Sequence, residues 1–205
     1  MSYLRTSDYS DSHHSWAILA LLVRFIHQYW PDTRIVLRGD SHFCRPRMLN
    51  WCDRHHVDYI VGIGKNSRLL KEVDVPMMLV RKTQWQVGGK VAETFRFPYQ
   101  AHSWKYPRWV VARIEESEQR SNPRFIISSR YDDGFKLFYE QYCAWGDMEN
   151  RIKGQQLSLF ADRTSSTHWW ANQWRLILSG FAYTLFERLR TYLKKPPFSA
   201  CAQAT

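Results

Sequence analysis

The feature that most constrains the fold is an alternation of helix and strand signals over residues 12–63. Apolar side chains recur at helical spacing in residues 12–30, and a short β-rich run follows at residues 34–38. Pro46 suits the first turn of a second helix, and the apolar run at residues 57–63 predicts a second strand. Helix–strand–helix–strand with short connections indicates an α/β fold with a parallel sheet.

A different pattern begins at residue 65. Trp85 and Val87 alternate before Gly88-Gly89, which predicts a β-hairpin, and further strands are expected at residues 109–114 and 124–127. Two helices are predicted after them, over residues 135–155 and 167–193. These patterns divide the chain into a first part of the core (1–64), a β-rich insertion (65–131), the C-terminal helices of the core (132–195) and a tail (196–205).

The charge of the chain favours a polyanionic partner. There are 29 Lys and Arg against 19 Asp and Glu, which gives a net charge of +10, and 16% of the residues are aromatic. The excess is concentrated in residues 151–205. This balance is typical of nucleic-acid-binding proteins, although ribosomal, secreted and heparin-binding proteins share it.

Neither a signal peptide nor a membrane-spanning run is expected, because the start is polar and the longest apolar runs are too short for a bilayer. Without a secretory signal, the four cysteines indicate reduced thiols in a cytoplasmic protein. Cys44, Cys52, His55 and His56 leave a zinc site as an alternative, but their spacing lacks a second paired half.

Asp40 directly follows the first apolar strand and precedes a Ser-His turn. Catalytic groups of open α/β sheets gather beyond the carboxyl ends of the strands, so this carboxylate is well placed to hold a cation. The alternative is an aspartate that accepts hydrogen bonds from the amides of Ser41 and His42 in the turn.

Glu149 is the second candidate. It lies at helical spacing with Phe138, Tyr142, Trp145 and Ile152, a stripe that is otherwise apolar or aromatic and is expected to face the sheet. A carboxylate on such a stripe is costly unless it is paired or binds a metal. The alternative is that Gly146 interrupts the helix and turns Glu149 outward, toward Lys153.

Two segments taken together resemble a known family. Residues 38–43 (RGDSHF), with the strand at residues 57–62, resemble the region around the second catalytic aspartate of insertion-sequence DDE transposases, closest to the group-one DDE domain. Residues 142–153 (YCAWGDMENRIK) resemble the helix that carries the family's final catalytic glutamate, and residues 171–176 (ANQWRL) match its next helix.

The resemblance implies a ribonuclease H-like core with an inserted β-rich subdomain, and the cleavage and strand transfer of insertion-sequence DNA. In that chemistry three carboxylates hold two divalent ions, Mg²⁺ or Mn²⁺. Asp40 would be the second carboxylate and Glu149 the third. The implied partners are insertion-sequence ends and target DNA, with a homodimer or a dimer with a full-length transposase, and the implied location is the bacterial cytoplasm at the nucleoid.

The resemblance also assigns DNA contacts. Tyr142 and Lys153 would position DNA near the scissile phosphate, and Arg151 and Arg175 lie in the same matching helices and are assigned to DNA binding. The basic composition of residues 151–205 agrees with this assignment.

One departure from the family sets an expectation about activity. The family's first aspartate lies on an early strand with no counterpart here, and Asp8 and Asp11 occupy a polar stretch instead. We therefore expect a truncated transposase with an incomplete ribonuclease H-like core, an enzyme by resemblance that binds DNA but does not cleave it alone. The alternative is a non-catalytic DNA-binding remnant that modulates a full-length transposase, and a weaker one is a stand-alone nuclease.

Overall fold

A computed structural model describes residues 14–143 and 145–193, and for residues 145–149 it describes the backbone alone. The described chain falls into two compact units, residues 14–143 and residues 145–193. We call them the sheet unit and the helical unit.

The sheet unit contains four α-helices, five strands and two shorter helical segments. The helices are α1 (Ser15–Tyr29), α2 (Pro46–Arg54), α3 (Ser67–Glu72) and α4 (Asp74–Val87). The strands are β1 (Val36–Gly39), β2 (Asp58–Ile63), β3 (Val91–Tyr99), β4 (Arg108–Glu116) and β5 (Arg124–Ser128). A 3₁₀ turn covers Ser41–Phe43, and a π-helical segment covers Lys136–Tyr142.

All five strands belong to one sheet, in the order β1-β2-β5-β4-β3. β1 and β2 pair in parallel, and the other neighbours are antiparallel. The α/β class is therefore confirmed, with a mixed sheet instead of a purely parallel one. The three strands of the expected β-rich insertion continue the sheet that β1 and β2 begin, and the proposed boundaries of that insertion stay a prediction.

The prediction of a hairpin around Gly88-Gly89 is wrong. Trp85 and Val87 lie in the last turn of α4, and the two glycines, both at positive φ, connect this helix to β3. The alternation misled because Trp85 and Val87 are both exposed, whereas the buried positions of α4, Val80 and Gln84, are four residues apart, as a helix requires. The strands predicted at residues 109–114 and 124–127 are confirmed as β4 and β5.

The sheet is covered on both faces, and its strands alternate between them. Val61 of β2, Ala112 of β4 and Ile127 of β5 lie in the larger cluster, which also includes buried residues of the helices. Ile60, Val111 and Ile126 point to the opposite face and pack against Leu137 and Phe138 of the π-helical segment. Burial on both faces explains why these strands are largely apolar, with Arg113 of β4 as a buried exception.

The single helix predicted over residues 135–155 is also wrong. The π-helical segment ends at Tyr142, and the Cys143 amide donates to the Phe138 carbonyl at 2.6 Å, which is an i→i+5 bond. A new helix, α5 (Trp145–Leu159), follows. The wider turns of the π segment allow both Phe138 and Tyr142 to pack on the smaller cluster of the sheet.

The helical unit consists of α5 and α6 (Trp169–Leu193), which confirms the helix predicted at residues 167–193. The Gln155 amide donates to Ser179 Oγ at 3.3 Å, and a Cβ on Gly154 would lie 3.6 Å from the Tyr183 ring, so the two helices pack closely here. The predicted tail at residues 196–205 lies outside the described residues. Within the described ranges no helix is both long and apolar enough to cross a membrane.

Candidate carboxylate site and DNA contacts

Asp40 lies directly after β1, at the carboxyl end of the strand. Its Oδ1 accepts from the His42 amide at 2.9 Å, and its Oδ2 lies 3.1 Å from His42 Nδ1. The alternative interpretation of Asp40 predicted hydrogen bonds from the turn amides, and the bond from the His42 amide is of this kind. The Asp40 side chain is nevertheless 52% exposed, so the same carboxylate is accessible from solvent.

Two glycines allow the chain to approach closely around this carboxylate. A Cβ on Gly39 would lie 2.7 Å from the Phe43 ring. A Cβ on Gly62 of β2 would lie 2.5 Å from the Tyr142 hydroxyl and 3.2 Å from the Ser41 amide nitrogen. Glycine at position 62 therefore lets the Tyr142 hydroxyl reach the backbone that carries Asp40.

The π-helical segment is tied to the same edge of the sheet. Arg38 of β1 donates from Nη1 to the Gln141 carbonyl at 2.7 Å. Because Gln141 immediately precedes Tyr142, this bond fixes the end of the segment next to Asp40. The structure thus brings Tyr142 close to the Asp40 loop, residues 40–43. The resemblance implied that Tyr142 and Asp40 belong to one site.

Glu149 lies in the second turn of α5, but its side chain, like that of Trp145, is outside the described residues. The expected stripe is in part buried. Phe138 is fully buried and Tyr142 half-buried, whereas Ile152 is 43% exposed. The stripe spans two separate helices, the π-helical segment and α5. The role of Glu149 and its alternative pairing with Lys153 stay predictions.

The three basic residues assigned to DNA binding lie on the surface of the helical unit. Arg151 Nη1 lies 3.3 Å from Glu187 Oε2, and Arg175 Nη1 donates to Ser165 Oγ at 2.6 Å. Lys153 is exposed. Arg175 also lines a cleft of about 510 Å³ together with Arg163. Two guanidinium groups at one cleft suit phosphate oxygens.

Asp40 is the described residue whose chemistry can be compared with that of a metal ligand. Its exposed carboxylate oxygens are the hard ligands that Mg²⁺ and Mn²⁺ prefer, so the chemistry fits. In the part of the chain that the structure describes, no group of three His, Cys, Asp or Glu residues could hold a metal ion. Asp40 is the candidate ligand that the described residues place at this edge of the sheet.

The cysteines of the zinc alternative are poor ligands. Burial raises the pKa of Cys44 to about 11 and that of Cys52 to about 12, against the opposing charge of Arg108. Zinc binds thiolates, and a buried thiol with a raised pKa is protonated at neutral pH.

Sequence reasoning missed a polar network in the sheet. Arg108, at the start of β4, is 8% exposed and donates from Nη1 to Tyr59 Oη at 2.5 Å and from Nη2 to Asn50 Oδ1 at 2.8 Å. Its Nη1 also lies 2.6 Å from Asp53 Oδ2. The only signal was an arginine at the beginning of an apolar strand, which is also a common pattern for an exposed strand end.

Comparison with known proteins gives the family. The family model described as Transposase DDE domain group 1 matches residues 1–205, and the chain therefore belongs to this family. No curated protein and no solved structure matches the chain. The resemblance read from the two motifs is confirmed. Family membership indicates a transposase function with DNA as the partner, and DDE transposases typically use a divalent metal ion.

Proposed function

We propose that this chain belongs to the catalytic apparatus of a DDE transposase that cleaves and joins insertion-sequence DNA, with Asp40 and Glu149 as two of its carboxylates. The observation that carries the proposal is the match of the family over residues 1–205. The accessible carboxylate of Asp40 at the end of β1 supports it. A ribonuclease H-like arrangement of the core is part of the proposal.

In this proposal Asp40 holds Mg²⁺ or Mn²⁺ together with Glu149. A bound divalent ion would supply the charge that activates a water or a 3′-hydroxyl and stabilises the leaving oxygen. The hydrogen bond from the His42 amide fixes the direction of the Asp40 carboxylate, and glycine at positions 39 and 62 allows Phe43 and the Tyr142 hydroxyl to pack close to the backbone at this turn. The contribution of the chain is thus to orient one carboxylate before any ligand is bound.

DNA is held in this proposal by the Tyr142 hydroxyl near Asp40 and by Arg151, Lys153 and Arg175 on the helical unit. The guanidinium groups and the ammonium group would contact phosphates and carry no sequence information. Their contribution to affinity should fall as the salt concentration rises. A homodimer, a dimer with a full-length transposase and a location at the bacterial nucleoid belong to the same proposal.

Metal binding gives a test that does not require turnover. Mn²⁺ binding to the protein with duplex DNA should be measured by water-proton relaxation for Asp40→Asn and Glu149→Gln. Both variants are expected to weaken Mn²⁺ binding by tenfold or more, roughly the effect of losing a charged ligand. Asp32→Asn and Glu140→Gln, which remove the same charge at exposed positions of the sheet unit, are the matched controls. Equal weakening by these controls would contradict the assignment.

The expectation that these 205 residues do not cleave DNA alone is a separate prediction. Nicking of a supercoiled plasmid with Mg²⁺ or Mn²⁺ measures it, and the expected result is binding without nicking. Metal-dependent nicking that Asp40→Ala abolishes would contradict the expected inactivity and would support the role of Asp40. Nicking without strand transfer would favour a nuclease, and DNA binding that ignores metal would favour the DNA-binding remnant.

A further inference from the structure

A second cleft lies in the sheet unit, between the last turns of α4 and the turn that connects β4 to β5. It has a volume of about 630 Å³, within the range of small-ligand sites. Its lining includes Arg81, Trp85, Glu116, Arg120 and Ser121. None of these residues belongs to the proposed carboxylate site.

The cleft contains two buried polar atoms without a partner. Glu116 is 2% exposed, and its Oε1 has no hydrogen-bond partner, nor does the buried Oγ of Ser121. The other carboxylate oxygen of Glu116 lies 3.6 Å from Arg81 Nε. A buried carboxylate with one unpaired oxygen costs free energy, which a hydrogen-bond donor in the cleft would recover.

The backbone holds these two side chains next to each other. Glu116 and Ser121 face each other across an antiparallel bridge at the end of the β4–β5 connection. The Ser117 amide donates to the Arg120 carbonyl at 3.1 Å, and the Asn122 amide donates to the Glu115 carbonyl at 2.8 Å, so the turn is closed on both sides of the bridge. Directly opposed residues of an antiparallel pair point to the same face. The Glu116 carboxylate and the Ser121 hydroxyl therefore lie on the same face of the connection, and together we call them the acceptor edge.

The surroundings of this edge select the kind of ligand. Trp85 at the rim is 77% exposed and offers an aromatic face. The lining also carries Glu118 and the guanidinium groups of Arg81 and Arg120, and a guanidinium group can bind a phosphate of the ligand. A hydrogen-bond donor, a flat ring and a phosphate occur together in a nucleotide with donors on its base edge.

We propose that this cleft binds one unpaired base of a DNA strand, with the base stacked on Trp85, its donor edge toward Glu116 and Ser121, and its phosphates near Arg81 and Arg120. This inference rests on the proposed function, because it takes DNA as the partner. Guanine fits best, since its Watson–Crick edge presents adjacent N–H donors to a carboxylate. Cytosine presents one amino group, and thymine places carbonyl oxygens against the carboxylate and fits worst.

The test uses single strands of oligothymidylate that differ at one central position, which is guanine, cytosine, thymine or abasic. Competition binding to the full chain is expected to favour the guanine strand over the thymine strand by roughly fivefold to a hundredfold, the range of one base-edge contact. Glu116→Gln should abolish this preference. Trp85→Leu should weaken binding of the guanine strand most, because the base that gains the contact with Glu116 also stacks on Trp85.

Matched controls make the outcome specific. Glu93→Gln removes the same charge at an exposed position of β3, and Trp109→Leu removes an exposed indole from β4, and both should keep the preference for guanine. If Glu116→Gln fails to fold in a thermal melt, Ser121→Ala and Trp85→Leu provide the same test. Equal binding of all four strands by the wild type, as expected if a water molecule satisfies Glu116, would overturn the proposal. So would a guanine preference that survives in a folded Glu116→Gln protein.

Two further experiments are needed. The first distinguishes a base within a strand from a free nucleotide, and the second distinguishes this inference from the proposed function. Free deoxyguanosine monophosphate should compete far more weakly than the guanine strand, and competition at equal strength would overturn a site for a base in a strand. Asp40→Asn should lose Mn²⁺ binding and keep the guanine preference. Unchanged Mn²⁺ binding by Asp40→Asn would count against the proposed function, whereas a wild-type protein without a guanine preference would count against this inference alone.

Discussion

The two units of the molecule bury different kinds of residue. In the sheet unit, buried apolar side chains extend from Ala20 to Phe138 and cover both faces of the sheet. Among the described residues of the helical unit, the buried positions are the polar Asn172, Gln173 and Ser179. Large apolar side chains of α6 such as Trp174, Phe181 and Leu185 are instead exposed.

This difference teaches that the two units obtain their structure from different interactions. The sheet unit has the buried apolar surface that stabilises a domain by itself. The helical unit relies on polar contacts between α5 and α6 and on helix propensity, which seldom suffice for two isolated helices in water. Mutations of matched chemistry in the two units should therefore have unequal effects.

The largest expected difference concerns two phenylalanines. Phe138→Ala empties a fully buried position against Ile60 and Ile126, and should lower the free energy of unfolding by about 3–5 kcal/mol. Phe181→Ala, at a position 65% exposed, should change it by about 0.5 kcal/mol or less. Urea denaturation followed by circular dichroism measures both. A comparable loss in the two variants would show that the contrast in burial does not govern stability.

Two arginines give the next comparison. Arg108→Met leaves Tyr59, Asn50 and Asp53 without their buried donor, and should cost about 1–3 kcal/mol. Arg190→Met breaks a solvent-screened pair with Glu187 and should cost much less than Arg108→Met. The same denaturation experiment applies, and 1 M salt should reduce the effect of Arg190→Met further. A larger cost for Arg190 would count against this ranking.

Two glycines are expected to respond with opposite signs. Gly62→Ala places a Cβ 2.5 Å from the Tyr142 hydroxyl and near the Ser41 backbone, and should destabilise the sheet unit by about 1–2 kcal/mol. Gly154→Ala meets the Tyr183 ring at an ordinary 3.6 Å and should stabilise α5 by roughly 0.5–1 kcal/mol. Gly64→Ala, with open space around its Cβ, is the control for Gly62. Stabilisation by Gly62→Ala would show that Tyr142 does not lie against this glycine.

The smallest expected effect is a pH dependence. Burial would raise the pKa of Glu115, but the hydrogen bond from Lys90 and the charge of Arg113 outweigh it and hold this pKa below its ordinary value of 4.5. A lowered carboxylate pKa stabilises the fold above the unfolded value, and this contribution is lost as the pH falls below 4.5 toward the folded value. Glu115→Gln should therefore flatten the acid limb of the stability profile.

Glu187 provides the matched case in the helical unit. The hydrogen bond from Arg190 and the charge of Arg151 lower its pKa, against the opposing effect of burial. The Glu187 side chain is 30% exposed, compared with 11% for Glu115, so salt screens its interactions more, and Glu187→Gln should change the acid limb less than Glu115→Gln does. Unfolding measured at several pH values below 6 tests both variants, and equal slopes would contradict the comparison.

Much of the sheet was predictable because β2, β4 and β5 carry mostly apolar runs between turn residues. Residues 109–114 and 124–127 needed no tertiary information to be recognised as strands. The end of α4 was not predictable, since two exposed apolar residues at alternate positions imitate a strand. The break between the π-helical segment and α5 was missed because the spacing of Phe138 and Tyr142 suits either helix type.

The candidate site was predictable where it depends on neighbouring residues and not where it depends on residues far apart in the sequence. Asp40 could be placed at a strand end because strand and turn are both local signals. The approach of Tyr142 to Gly62 depends on residues 80 positions apart, and pairing at that range has no local signature. The cleft around Glu116 was missed because two consecutive glutamates at a strand end, here Glu115 and Glu116, ordinarily indicate solvent-exposed positions.

The π-helical segment has a consequence for insertions and deletions. Its i→i+5 bond from Cys143 to Phe138 encloses one residue more than the i→i+4 bond of an α-helix. Deleting a single residue between Lys136 and Tyr142 would allow an α-helix and rotate the side chains on one side of the deletion by about 100° relative to those on the other. The number of residues in this segment, as much as their identity, therefore determines whether a tyrosine hydroxyl reaches the Asp40 loop.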